Sequence, residues 1–116
     1  MTTTYPPFLD LTQAKELASN KEQLRHLVQT FEVSLADEIQ KISHALATHN
    51  QQKVEFSLHT LKGFVGLFVV PTFAFQVELL YKNCRTQPLA ATNAEFNALV
   101  PNFQSLLSEV RGWLSL

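Results

Sequence analysis

Cysteine occurs once in this chain, at Cys84. With no second thiol there is no intramolecular disulfide framework, and a reducing compartment fits best. Charge of one sign is also missing. Nine Lys and Arg stand against ten Asp and Glu, for a net charge of −1. A dedicated nucleic-acid binder would show a basic patch or stripe, so nucleic acid is not expected as a partner. Long apolar runs are absent too. The longest, Phe64 to Phe75, is about a dozen residues and is broken by Pro71. A membrane-spanning helix needs about 20. Met1 to Pro7 has neither a basic start nor an apolar stretch, so no signal peptide is read. A cytoplasmic protein is expected; the starting methionine and the lack of kinase segments lean towards one that stands alone, with a piece of a hybrid kinase the open alternative.

What is present is helical periodicity. The length, 116 residues, and an ordinary hydrophobic fraction of 46 % suit one core. Residues 1–9 are expected to form an extended arm, because Pro6 and Pro7 disfavour helix at and before their positions. Asp10 is a plausible N-cap, with Gln13 completing a capping box, for a short helix to about 19. Asn20 and Gln23 repeat the pattern ahead of a long helix over 21–48, where Leu24, Val28, Phe31, Leu35, Ile42 and Leu46 share one stripe. His49 and Asn50 read as a turn. The spacing of Val54, Leu58, Leu61, Val65 and Phe68 predicts a third helix over 51–68. Pro71 should open a fourth, with Phe73, Val77, Leu80 and Cys84 as its seam. Residues 85–92 read as a loop, and Thr92 with Glu95 as a capping box for the last helix. That helix carries Phe96, Leu99, Phe103, Leu106, Val110 and Trp113, and Pro101 inside it should kink or split it. The fold class is therefore all-α: an antiparallel four-helix bundle over 10–116 with a short extra N-terminal helix. Many unrelated proteins share that architecture, so function must be argued from a site.

The third helix supplies a candidate. At 100° per residue, Glu55, His59, Lys62, Gly63 and Gly66 fall on an outward strip beside the apolar seam. A glycine inside a helix costs about 1 kcal/mol relative to alanine. The chain has three glycines, and two of them are on this strip. Missing side chains beside a histidine would let another protein's surface approach the imidazole, and Lys62 could pair with an anion held there. The plain alternatives are a surface histidine and glycines that serve helix packing. Phe56 and Leu67 lie beyond Gly63, opposite the seam. They either pack under the N-terminal arm or first helix, or form an apolar docking patch beside His59.

The segment His59-Thr60-Leu61-Lys62-Gly63 resembles the core motif of the histidine phosphotransfer (HPt) domains of multistep phosphorelays. The resemblance extends more loosely over most of the chain, including the preceding long helix, Gly66 and the hairpin continuing to Arg85. It implies that His59 accepts the phosphoryl group, that Lys62 helps neutralise it, and that Gly63 and Gly66 leave room for a receiver domain. The expected partners are receiver domains of response regulators or of a hybrid histidine kinase, with the chain a monomer and not itself a kinase. No cofactor is expected on this chain; Mg²⁺ would come with the receiver. Glu55 either orients His59 or is a solvated charge. Two positions depart from the family pattern: Phe64 stands where a small residue is usual, and Val69 where a glycine is usual. Two other classes stay open, an interaction module of the same fold that is never phosphorylated and an unrelated structural bundle.

No metal site is expected, since His26, His44 and His49 have no ligand partners at a suitable spacing and read as surface residues. Cys84, on an apolar seam, reads as a buried small hydrophobe.

Overall fold

The computed structural model describes residues 7–116. Most of the expected arm, residues 1–6, lies outside the described residues. The order of elements is α1 (Thr12–Leu17), α2 (Lys21–Ala47), α3 (Gln51–Val65), α4 (Pro71–Cys84) and α5 (Leu89–Leu114). The four long helices form an antiparallel bundle in which α2 packs on α3, α3 on α4, α4 on α5 and α5 back on α2, while α1 packs on α2. The apolar stripes face one continuous core centred on Phe31, Phe73, Phe96 and Phe103. Phe31 stacks on Phe68 with ring centroids 4.2 Å apart, which ties α2 to the end of the α3 segment.

Local signals explain most helix starts. Asn20 caps α2 by accepting from the Gln23 N–H at 2.9 Å, and Asn50 caps α3 by accepting from the Lys53 N–H. The Gln23 side chain accepts from the Ser19 N–H, one residue beyond the N-cap N–H that a standard capping box would engage. Pro71 is the first residue of α4. Between α2 and α3, His49 has φ +55°. The Asn50 N–H donates to the Ala45 carbonyl, closing the α2 end with a Schellman-type bond.

Four expectations need correcting. First, Asp10 does not complete a capping box, because its own N–H donates to the Phe68 carbonyl at 2.8 Å. Its carboxylate instead accepts from the Thr12 hydroxyl and N–H, which hold it below the usual carboxylate range, and α1 begins at Thr12. Second, α3 stops at Val65, three residues early. Residues 66–68 tighten into i→i−3 turns, and the chain must then extend to let Val69 pair with Leu9. Third, α5 starts at Leu89 rather than after Thr92. Thr92 is buried in the first turns of the helix and accepts from the Gln87 side chain, so it caps nothing. Fourth, of the kink or split expected at Pro101 the split does not occur: α5 is one continuous helix through this exposed proline.

The Leu9–Val69 pairing is the fold's main non-local feature. The Val70 N–H donates to the Phe8 carbonyl, Phe8 packs on Phe73, and Glu109 of α5 accepts from the N–H groups of both Phe8 (3.2 Å) and Leu9 (2.8 Å). The entering chain is thus clamped between α5 and the connection that follows α3. Truncating Glu109→Ala should leave both N–H groups without their carboxylate and destabilise the protein by about 1–3 kcal/mol in denaturant unfolding. A loss below 0.5 kcal/mol, on the order of an ordinary surface change, would mean water replaces the carboxylate at no cost.

Candidate functional site

The outward strip of α3 is where the periodicity places it. Val54, Leu58, Leu61 and Val65 are buried, while His59 and Gly63 are exposed and Glu55, Lys62 and Gly66 are half-buried. Thr60 turns its hydroxyl back to the Phe56 carbonyl at 3.0 Å, leaving the strip clear of it.

The glycines can be tested for a packing role. A Cβ at Gly63 would meet nothing within 4 Å, and one at Gly66 would meet only the Ala74 Cβ at 3.9 Å, an ordinary contact. Neither position requires glycine for the bundle to close, nor does either have a positive φ. Gly112 is equally uncrowded, but it lies in the last turn of α5, where fraying makes a glycine cheap. In the interior of α3 the cost of Gly63 is not recovered by packing.

Two residues that sequence reasoning missed complete the surroundings of His59. Tyr81 of α4 meets the imidazole edge-to-face with centroids 5.3 Å apart. Lys62 Nζ lies 5.5 Å from the centre of the same tyrosine ring, and the Arg85 guanidinium 5.8 Å from it. Helical side chains lean toward their own N-terminus, so in the antiparallel α3–α4 pair His59 and Tyr81 lean toward each other. Counting register outward from the turn at 66–70, with Tyr81 in the last turn of α4 and Arg85 capping its end, was the signal available for both.

Among the described residues, no carboxylate pairs with Lys62 or Arg85; the ion pairs are Lys41 with Asp37 and Glu38, Lys82 with Glu78, and Arg111 with Glu32. Lys62, one turn from His59, and Arg85, set against the Tyr81 ring that the imidazole meets, thus have no carboxylate partner. Glu55 accepts from the Gln51 amide at 3.0 Å, and that amide also donates to the Cys84 carbonyl at 2.9 Å. This link joins the start of α3 to the end of α4, and Glu55 forms no hydrogen bond with His59.

The two apolar residues beyond Gly63 part company. Phe56 is 73 % exposed and is covered by no described residue, whereas Leu67 is half-buried against the core. The two departures from the family pattern point away from the strip. Phe64 packs edge-to-face on Phe31 at 5.9 Å, and Val69 is buried in the pairing with Leu9. Neither narrows the space over His59.

Cys84 is buried on the α4 seam with Sγ 3.0 Å from the Tyr81 carbonyl. Burial, with a smaller push from Glu55 and an opposing pull from Arg85, raises its thiol to about 11. The native protein should resist alkylation near pH 8 and react only after unfolding or well above that pH. Rapid modification of the native protein would place the thiol at the surface. Among the described residues no group of His, Cys, Asp and Glu could hold a metal ion, and no helix is long and apolar enough to cross a membrane.

The model of the Hpt domain family matches residues 26–113, which spans α2 to α5 and includes the His59 strip. No match was found among curated proteins. Of solved structures, the crystal structure of the HPT domain from an Hpt sensor hybrid histidine kinase of Shewanella is similar in fold, with a TM-score of 0.76. It is 24 % identical, and the alignment covers 90 % of this chain and 88 % of that one.

Proposed function

The chain belongs to the Hpt domain family and is a histidine phosphotransfer module of phosphorelays, and from that premise we propose that His59 accepts a phosphoryl group from the phospho-aspartate of one receiver domain and passes it to the aspartate of another. The observation that carries this reading is the exposed imidazole of His59 set against Tyr81, with Lys62 and Arg85 on the same tyrosine ring and the open Gly63 one turn away.

In the step itself, a ring nitrogen holding its lone pair attacks phosphorus. The P–N bond forms as the P–O bond to the aspartyl group breaks, and the aspartate leaves as a carboxylate. The other ring nitrogen keeps its proton. The reverse sequence returns the group to a second receiver. Phosphoryl transfer has a loose transition state, so charge neutralisation and positioning supply most of the catalysis. Lys62 acts as a mobile point charge and Arg85 as a planar fork on the phosphoryl oxygens. Tyr81 holds the imidazole edge and spaces the two cations. Mg²⁺ enters with the receiver. Phe56, two turns before Gly63 on the same face, is the apolar contact for the receiver, and the exposed part of Leu67, one turn after Gly63, is a second. On this reading the protein works as a cytoplasmic monomer with no kinase activity of its own.

Incubation with a phosphorylated receiver domain tests the proposal. Acid-labile, base-stable label on the chain is the expected result. Receiver binding without label would instead make the protein an interaction module, and neither would leave a structural bundle.

The cations can be tested separately. Each lies near solvent, where such a contact is worth about 1 kcal/mol. Lys62→Ala and Arg85→Ala should each slow transfer, or shorten the phosphohistidine half-life, by about fivefold, and the double variant should lose more than either. Unchanged rates and half-lives in the double variant would remove both residues from the reaction.

A further inference from the structure

The helices α2 and α5, with 27 and 26 residues, outrun α3 and α4, with 15 and 14. The excess corresponds to roughly 18 Å of helix at 1.5 Å per residue. At one end of this overhang, α1 closes over the start of α2 and the end of α5. The three line an open groove of about 700 Å³ whose residues include Lys15, Lys21, Leu24, Arg25, Trp113 and Leu116. That volume lies within the usual range for small-molecule sites.

Its chemistry is two-sided. Leu24, Ala18 and the half-buried Trp113 form an apolar floor. Lys15, Lys21 and Arg25 stand over it, and no acidic side chain lines the groove. In a chain of net charge −1, this is a local excess of positive charge. Neither lysine makes a direct ion pair among the described residues, although Lys15 is near enough to Asp10 to help hold that carboxyl down. Arg25 is fixed by donating one N–H to the Leu114 carbonyl, and a guanidinium has further donors to offer. None of these residues belongs to the His59 strip.

We propose that this groove binds a small amphipathic anion, with its carboxylate or phosphate head on Lys15, Lys21 and Arg25 and its alkyl tail along Leu24 and Trp113. Charge complementarity selects the head and the apolar floor selects the tail. A bare inorganic anion would leave the floor wet, and a neutral alkyl chain would leave the cations unanswered.

The protein carries its own reporter, because Trp113 is its one tryptophan. Titration of the full chain with decanoate, below its micelle concentration, should change Trp113 fluorescence along a saturable one-site curve. Decyl phosphate should behave alike, while decanol and inorganic phosphate should each bind at least tenfold more weakly. Lys15→Glu combined with Lys21→Glu should weaken decanoate at least tenfold with an unchanged circular dichroism spectrum; Lys15→Gln with Lys21→Gln serves if charge reversal disturbs folding. His59→Gln should bind decanoate as the parent does, which separates this site from phosphotransfer. A non-saturable response, equal affinity for inorganic phosphate, or full affinity in the lysine variants would overturn the proposal. So would binding to anionic phosphatidylglycerol vesicles with none to monomeric decanoate, which would assign the patch to a membrane surface.

Discussion

His59→Gln is expected to take no label from a phosphorylated receiver while folding as the parent does. Glutamine keeps a polar group of similar reach at this position but has no nucleophilic ring nitrogen, so acceptance should fall to background rather than by a modest factor. The fold should survive because His59 is exposed and its one defined contact is the edge-to-face approach to Tyr81. Losing that contact and changing a surface residue should cost at most about 1 kcal/mol. Label counting and a thermal melt on the same preparation decide the matter. If the variant still takes label, another histidine is the acceptor; His26, His44 and His49 are all exposed, so each is chemically available. If the variant melts far below the parent, the imidazole is part of the packing and the assignment of an outward strip fails.

How much of this was legible beforehand follows from which forces are local. The stripes of α2, α3 and α4 were readable because burial repeats every three or four residues, and each apolar residue named in them is buried. The gap in the α2 stripe between Leu35 and Ile42 was not readable. It holds Glu38, a buried carboxylate within 3.8 Å of Lys41, and periodicity cannot anticipate a polar residue there. The strip around His59 was legible for the same reason as the seams, since one helix fixes it. Tyr81 and Arg85 were not, because they arrive from α4 and their approach depends on the antiparallel register and the lean of the side chains.

Helix ends fared worst where tertiary contacts compete with local caps. Asp10 and Gln13 form a plausible capping box in isolation, but the Asp10 N–H is already committed to Phe68, 58 positions along the chain (68 − 10). Thr92 and Glu95 have the right spacing, yet packing buries Thr92 inside α5 and the Asn83 amide donates to Glu95 across the α4–α5 connection. The early end of α3 has the same origin. Phe68 stays in the core as its spacing implied, but Val69 must extend to pair with Leu9, and a helix cannot continue through that pairing.

Gly63→Phe should abolish productive docking while making the helix more stable. A Cβ at Gly63 meets nothing within 4 Å, so the new side chain leaves the helix without a clash at its first atom. Replacing a mid-helix glycine with phenylalanine should gain a few tenths of a kcal/mol from propensity. The ring would stand one turn from His59, over the space through which a receiver's aspartate must reach the imidazole. Misplacement of reacting groups by about 1 Å can cost 10²-fold, so transfer should drop by more than about a hundredfold with an equal or higher melting temperature. Gly63→Ala, which adds one methyl in open space, should gain up to about 1 kcal/mol of stability and keep most of the transfer rate. Phe56→Ala should act differently again. At 73 % exposure Phe56 contributes little to the core, so the melt should not move, while receiver affinity should fall by ~1–2 kcal/mol, as for an ordinary interface truncation. Titration of the three variants with one receiver separates these effects. Undiminished transfer in Gly63→Phe would show that the receiver approaches His59 from the α4 side, over Tyr81 and Arg85. A large loss of melting temperature in Phe56→Ala with unchanged affinity would mean that the ring supports the fold, and the docking face would then have to exclude it.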